Sequence, residues 1–201
     1  MPPPPPAAPG APQPLAGTDW RSLLQQADAE NRFDEAIKHY DTALAGLEQD
    51  QTTDATILKT MKAAVLKHRG LASFIPQRDK LPADKQVEAL HTKLRELNPN
   101  YNGKGRFVAR DGKIVEAWLV RLELTDLSPL KGLPLSLLDF GENGIQDISP
   151  LRGMPLKTIG CRFNLISDLA PLKGMRLTSV DFHQNRGNIT DLSPLAGMRI
   201  E

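Results

Sequence analysis

From Ile114 onward, apolar residues alternate over short stretches and then give way to a turn. Leu138 and Phe140, Ile159 and Cys161, and Val180 and Phe182 lie two apart, so each pair faces one side of a short strand. Between these stretches stand Asp126-Leu-Ser-Pro-Leu-Lys-Gly132, Asp147-Ile-Ser-Pro-Leu-Arg-Gly153, Asp168-Leu-Ala-Pro-Leu-Lys-Gly174 and Asp191-Leu-Ser-Pro-Leu-Ala-Gly197, at offsets of 21, 21 and 23 residues. A unit this short cannot bury its apolar side alone and must stack on its neighbours. Its period leaves no room for an α-helix beside the strand, so brief 3₁₀ turns are expected at the prolines. The four aspartates suit caps on those turns, and the glycines suit positive φ. Calcium ligation by the aspartates is disfavoured, because one carboxylate per coil falls short of the several oxygens a calcium ion needs.

Upstream the spacing becomes helical. Trp20, Leu23, Leu24 and Ala27 share one helical face. Phe33, Ala36, Ile37, Tyr40, Ala43, Leu44 and Leu47 share a second, and Ile57, Leu58, Met61, Ala64, Val65, His68 and Leu71 a third, with His68 at the core edge. Pro82 opens a fourth helix with Val87, Leu90, Leu94 and Leu97 inward, closed by Asn98-Pro99. Asp111-Gly112 then predicts a two-residue hairpin turn between residues 106–110 and 113–119. Residues 1–17, rich in proline, cannot build a core and form a tail or linker that favours extended polyproline II conformations.

The expected organisation is therefore α+β. A disordered tail spans 1–17, a helical domain 18–75, a cap of helix plus hairpin 82–113, and a parallel-strand solenoid of about four repeats 114–201. Leu135-Ser-Leu-Leu-Asp-Phe-Gly-Glu-Asn-Gly-Ile145 and its counterparts from Leu156 and Leu177 carry an asparagine at Asn143, Asn164 and Asn185. This pattern resembles the leucine-rich repeat. The first unit departs from it, with Leu122 where the asparagine belongs. Phe33-Asp-Glu-Ala-Ile-Lys-His-Tyr-Asp-Thr-Ala-Leu44 resembles one helix of a tetratricopeptide repeat. The order of Leu90-His-x-Lys-Leu-x-Glu-Leu-Asn-Pro-x-Tyr-Asn-Gly-Lys-Gly105, the hairpin and the repeats resembles the C-terminal regions of planctomycete-type bacterial serine/threonine protein kinases. That resemblance implies a sensory, regulatory or scaffolding role in signalling, and it carries over no catalytic residue.

Composition narrows the function. With 25 basic and 24 acidic residues, the formal net charge of +1 implies no field for nucleic acid or a membrane surface. No apolar run is long enough to span a bilayer and no signal peptide begins the chain, so a cytoplasmic location without membrane insertion is expected. The single cysteine, Cys161, sits at a core position and is expected to be an inert thiol. No cofactor motif is present, and Asp139, Glu142, Asp181 and His183 lack metal-ligand spacing. Asp139-Phe140-Gly141 matches a kinase magnesium motif only in letters, because Phe140 is in register with Cys161 and Phe182. A hydrolase built on Asp139, Asp181 and His183 lacks a nucleophile.

A non-enzymatic module that binds a protein through the concave strand face is therefore expected. Trp118, Arg121, Asp139, Arg162, Phe163, Asp181 and His183 are its candidate contacts, since aromatic and arginine side chains dominate interface energetics. Two readings of the aromatics stay open: contact with a partner, or Trp118 covered by the hairpin and Phe163 shielding an edge. The last repeat, whose strand is an open edge, is a candidate for self-association.

Overall fold

The computed structural model describes residues 55–200 and, upstream of them, residues 38, 41, 42 and 44–47, which are helical. The proline-rich tail, the helix expected at Trp20 to Ala27 and most of the tetratricopeptide-like helix lie outside the described residues. Those that are described fall into two compact units divided between Pro76 and Gln77.

In the first unit, Arg69 of helix α1 (Ala55–Asp79) pairs with Asp41 at 2.6 Å. Val65, Leu71, Ala72 and Ile75 are buried, and Met61, Ala64 and His68 are half-buried. The helix continues through Pro76 to Asp79, past residue 75, the expected end of the helical domain.

The second unit contains α2 (Ala83–Leu97) and a five-stranded sheet in chain order, β1 (Arg106–Arg110), β2 (Lys113–Trp118), β3 (Leu137–Asp139), β4 (Thr158–Gly160) and β5 (Ser179–Asp181). Strands β1 and β2 form an antiparallel hairpin; β2 through β5 are parallel. Positive φ at Asp111 (50°) and Gly112 (72°) makes the hairpin turn, as the Asp-Gly pair predicts. Three-residue 3₁₀ turns at Ser128–Leu130, Ser149–Leu151 and Ala170–Leu172 return the chain from one parallel strand to the next, and a fourth, Ser193–Leu195, follows β5.

Each turn is set by its aspartate. Asp126, Asp147, Asp168 and Asp191 accept the backbone N–H two residues on at 2.7–2.8 Å, and Asp147 and Asp191 also accept the serine hydroxyl. The side chain thereby takes up an N–H that the short turn cannot satisfy itself. A glycine at φ 72–79° follows each turn, and the first three redirect the chain into the next strand.

Packing follows the register. Ala117, Leu138 and Ile159 stack in one column, and Leu119, Phe140 and Cys161 in another; all six are buried. Their counterparts in the last coil, Val180 and Phe182, are half-buried, since β5 is the edge of the sheet.

The asparagines bind coil to coil. Asn143 Oδ1 accepts the N–H groups of Leu122 and Leu124 at 3.0 Å, while its Nδ2 donates to the carbonyls of Leu119, Phe140 and Gly141. Asn164 accepts from Ile145 and donates to Phe140, Cys161 and Arg162; Asn185 accepts from Ile166 and donates to Cys161 and Phe182. Each amide thus serves its own coil and the one before.

Two residues that the hydrophobic pattern passes over seal the start of the stack. Arg78 is buried; it donates to the carbonyls of Pro129 at 2.8 Å and Lys131 at 3.1 Å and pairs with Asp79. Those carbonyls belong to the first 3₁₀ turn and its exit, so the guanidinium caps them. Asn98 ends α2 and ties it to the first coil: its Oδ1 accepts the N–H groups of Thr125 and Asp126, and its Nδ2 donates to Leu94 and Asp126. On α2, Leu90 and Leu94 are buried as expected. Val87 and Leu97 are half-buried, and Gln86 takes a buried place by donating to the Leu81 carbonyl. His91 stacks on Tyr101 and meets the edge of Phe107, joining α2 to the hairpin.

Asn164→Ala would strand the buried Ile145 N–H and three carbonyls, and should destabilise the protein by about 2–4 kcal/mol. Urea unfolding monitored by circular dichroism measures this, and a loss below about 1 kcal/mol would show that the ladder is not what binds the coils.

Candidate functional site

The face of the sheet opposite the buried columns carries every residue singled out from the sequence. Register sets them in rows across the strands. Trp118, Asp139, Gly160 and Asp181 form one row. Backbone bonds from Arg121 to Gly141, from Glu142 to Arg162 and from Phe163 to His183 continue the parallel pairing beyond the strands. They place Val120, Gly141, Arg162 and His183 in a second row, and Arg121, Glu142, Phe163 and Gln184 in a third. All four residues of the third row have positive φ, 53–59°, where the chain turns out of the strand. Non-glycine residues rarely adopt that conformation. Here the asparagine that comes directly after the positive-φ residue in each of the last three coils satisfies the backbone groups freed by the turn.

Arg121, Asp139 and Arg162 are drawn into one network whose hub is Glu142. Arg121 pairs with one Glu142 oxygen; Arg162 reaches the other at 3.3 Å and Asp139 at 3.6 Å. Asp139 also accepts the Gly141 N–H at 3.0 Å. Two glycines make room. A Cβ on Gly160 would stand 2.8 Å from the Asp139 carboxylate, and one on Gly141 would stand 3.1 Å from the Arg162 side chain. Arg121 stays largely in solvent, with its side chain 75% exposed, whereas Arg162 lies across the sheet at 28%.

Asp181, His183 and Phe163 form a second group. His183 Nδ1 lies 2.5 Å from Asp181 Oδ1, and the Phe163 ring meets the His183 ring edge-on at 5.2 Å and 74°. Phe163 remains 39% exposed. Chemically this is an Asp–His pair with a serine, Ser179, on the same strand. Four residues of extended chain separate Ser179 from His183 by roughly 13 Å, beyond hydrogen-bond reach.

Trp118 stands apart from both groups. The Arg106 guanidinium of the hairpin lies 4.5 Å from its ring centroid, a cation–π contact that covers part of the indole. Trp118 is half-buried, so of the two aromatics Phe163 is the one left open.

The sequence pattern does not single out Glu142 or Arg106 as contacts of this face. Glu142 was legible as a hub from its place one coil after Arg121 and one before Phe163, flanked by arginines on both sides. Arg106 had no comparable signal, because its contact with Trp118 follows from the antiparallel pairing of those two residues.

The Arg121 guanidinium bonded to Glu142, with Arg162 beside it, holds the Glu142 carboxyl below its usual range. Burial, reinforced by the Asp181 and Asp139 charges, pushes the Cys161 thiol up to about 12, so no thiolate forms at neutral pH. Among the described residues no helix is long and apolar enough to cross a membrane. Comparison with family models, curated proteins and solved structures finds no match to this chain.

Cys161 should not react with a thiol-specific aromatic disulfide in the folded protein at about pH 8, and should react fully once denaturant is added; rapid labelling of the native protein would place the thiol outside the core. Because the folded Glu142 pKa is depressed, the pairing stabilises the protein above the ordinary carboxylate pKa. That contribution is lost as pH falls through the lower folded value. In Arg121→Ala the Glu142 midpoint, followed by carbon-detected NMR, should rise towards the ordinary value, and an unmoved midpoint would dismiss the pairing.

Proposed function

We propose that the second unit is a short leucine-rich-repeat solenoid, capped at its start by α2 and the hairpin, that binds a protein partner through its strand face without catalysing a reaction. The upstream helices, tetratricopeptide-like in pattern, belong on this reading to the same scaffolding protein of a bacterial signalling system. The observation that carries the proposal is the pre-ordered strand face. Arg121, Asp139, Glu142 and Arg162 are held in one ion network, with Phe163 exposed at its margin against His183. Long side chains already fixed by their neighbours lose less freedom when a partner closes over them. An open aromatic beside an arginine is the combination found at the energetic centre of protein interfaces. Exposed ion pairs of this kind add little to folding stability, which leaves recognition as the property they serve.

The test is capture by the full chain from a lysate of its source organism. Affinity for the identified partner, once purified, is then measured for the wild type and for Arg162→Ala and Phe163→Ala. Each substitution should weaken binding by roughly tenfold or more at an unchanged melting temperature. A partner bound equally well by both variants would move the interface off this face.

A further inference from the structure

The opposite ends of the strands carry a different chemistry. Where the chain leaves each 3₁₀ turn, residues 131–136, 152–157, 173–178 and 196–200 contain Lys131, Arg152, Lys157, Lys173, Arg176 and Arg199, and the one carboxylate beside them in sequence is Glu201. In a chain of 25 basic and 24 acidic residues, this edge gathers six of the cations. Arg152, Lys157, Lys173 and Arg176 are exposed. Of the carboxylates on the sheet, Glu116 is paired with Arg110 of the hairpin, and Asp139, Glu142 and Asp181, at or beyond the far ends of the strands, are engaged with Arg121, Arg162 and His183.

A groove of about 380 Å³ opens on this edge between the coils of β4 and β5. Its apolar lining includes Met154, Pro155, Leu156 and Met175, and Lys157, Lys173 and Arg176 also line it. We propose that the groove docks an extended acidic protein segment, which sets one apolar side chain against Met154 and Met175 and lays flanking carboxylates along Arg152, Lys157, Lys173 and Arg176.

The cations continue over four coils, roughly 15 Å at the spacing of neighbouring strands, so the complementary ligand is longer than the groove itself and fits a chain of several residues. The pliable methionines suit an anchor of variable shape. A nucleic acid is the poorer match: these segments hold no aromatic residue on which a base stacks.

Fluorescence polarisation of a short labelled peptide with a Leu-Leu centre and glutamates on both sides, added to the full chain, tests the assignment. Saturable binding that weakens with salt is expected, with the same peptide bearing serines in place of glutamates failing to bind. The exposed double variant Lys157→Glu/Lys173→Glu should bind roughly tenfold or more weakly, and Arg162→Ala/Phe163→Ala should bind like the wild type. Circular dichroism confirms folding, and Lys157→Gln/Lys173→Gln gives an intermediate loss if charge is the cause. No saturable binding of the acidic peptide, equal binding by the charge-reversed variant, or tighter binding of a single-stranded oligonucleotide or of phosphatidylserine vesicles at the same salt would each overturn the proposal.

Discussion

A strand of three residues followed by a turn of three leaves backbone groups that no regular ladder reaches, and the fold depends on where those groups find partners. Asn143, Asn164 and Asn185 supply them. A primary amide both accepts and donates twice over, so one side chain answers N–H groups and carbonyls facing it from two coils at once. The apolar columns could be filled by several residue types of similar volume. The amide position could not, because in the interior an acceptor alone or a donor alone would leave half of these groups unpaired. Among the described residues no buried side-chain nitrogen or oxygen lacks a partner, which such short elements achieve only through these local bonds.

Because every asparagine reaches back one coil, stability is shared between neighbours. The first coil breaks the pattern, with Leu122 buried in place of an amide. Its loop is met by Asn143 from the following coil and, further along, by Asn98 from α2. Asn98, at the end of α2, therefore completes the first coil with the same chemistry the coils use on one another.

Much of this could be read from the chain alone. The two-residue spacing of Leu138 and Phe140 gave the buried face, Asp111-Gly112 the hairpin, and the aspartate-to-proline interval the short turns, because each depends on local geometry. Less local features escaped. Arg78 reads as a solvated residue at a helix end, and its partners lie 51 and 53 positions away. Gln86 occupies a buried place through a bond to the loop before its helix, where periodicity favours an apolar residue. The candidate face was legible as a set of outward positions, but its division into an Arg–Glu–Arg–Asp network and a Phe–His–Asp group depends on diagonal reach between strands, which alternation does not encode.

Arg78 also bears on where the second unit can be cut from the chain before it. The proline at position 82 looks like a natural joint, and a genetic fusion or a proteolytic cut there would respect the composition of the chain. It would also leave behind the guanidinium that the carbonyls of Pro129 and Lys131 rely on. A piece that keeps this turn capped begins with the last turn of the preceding helix, so a fusion that uses the second unit has to carry Gln77 to Asp79 along with it.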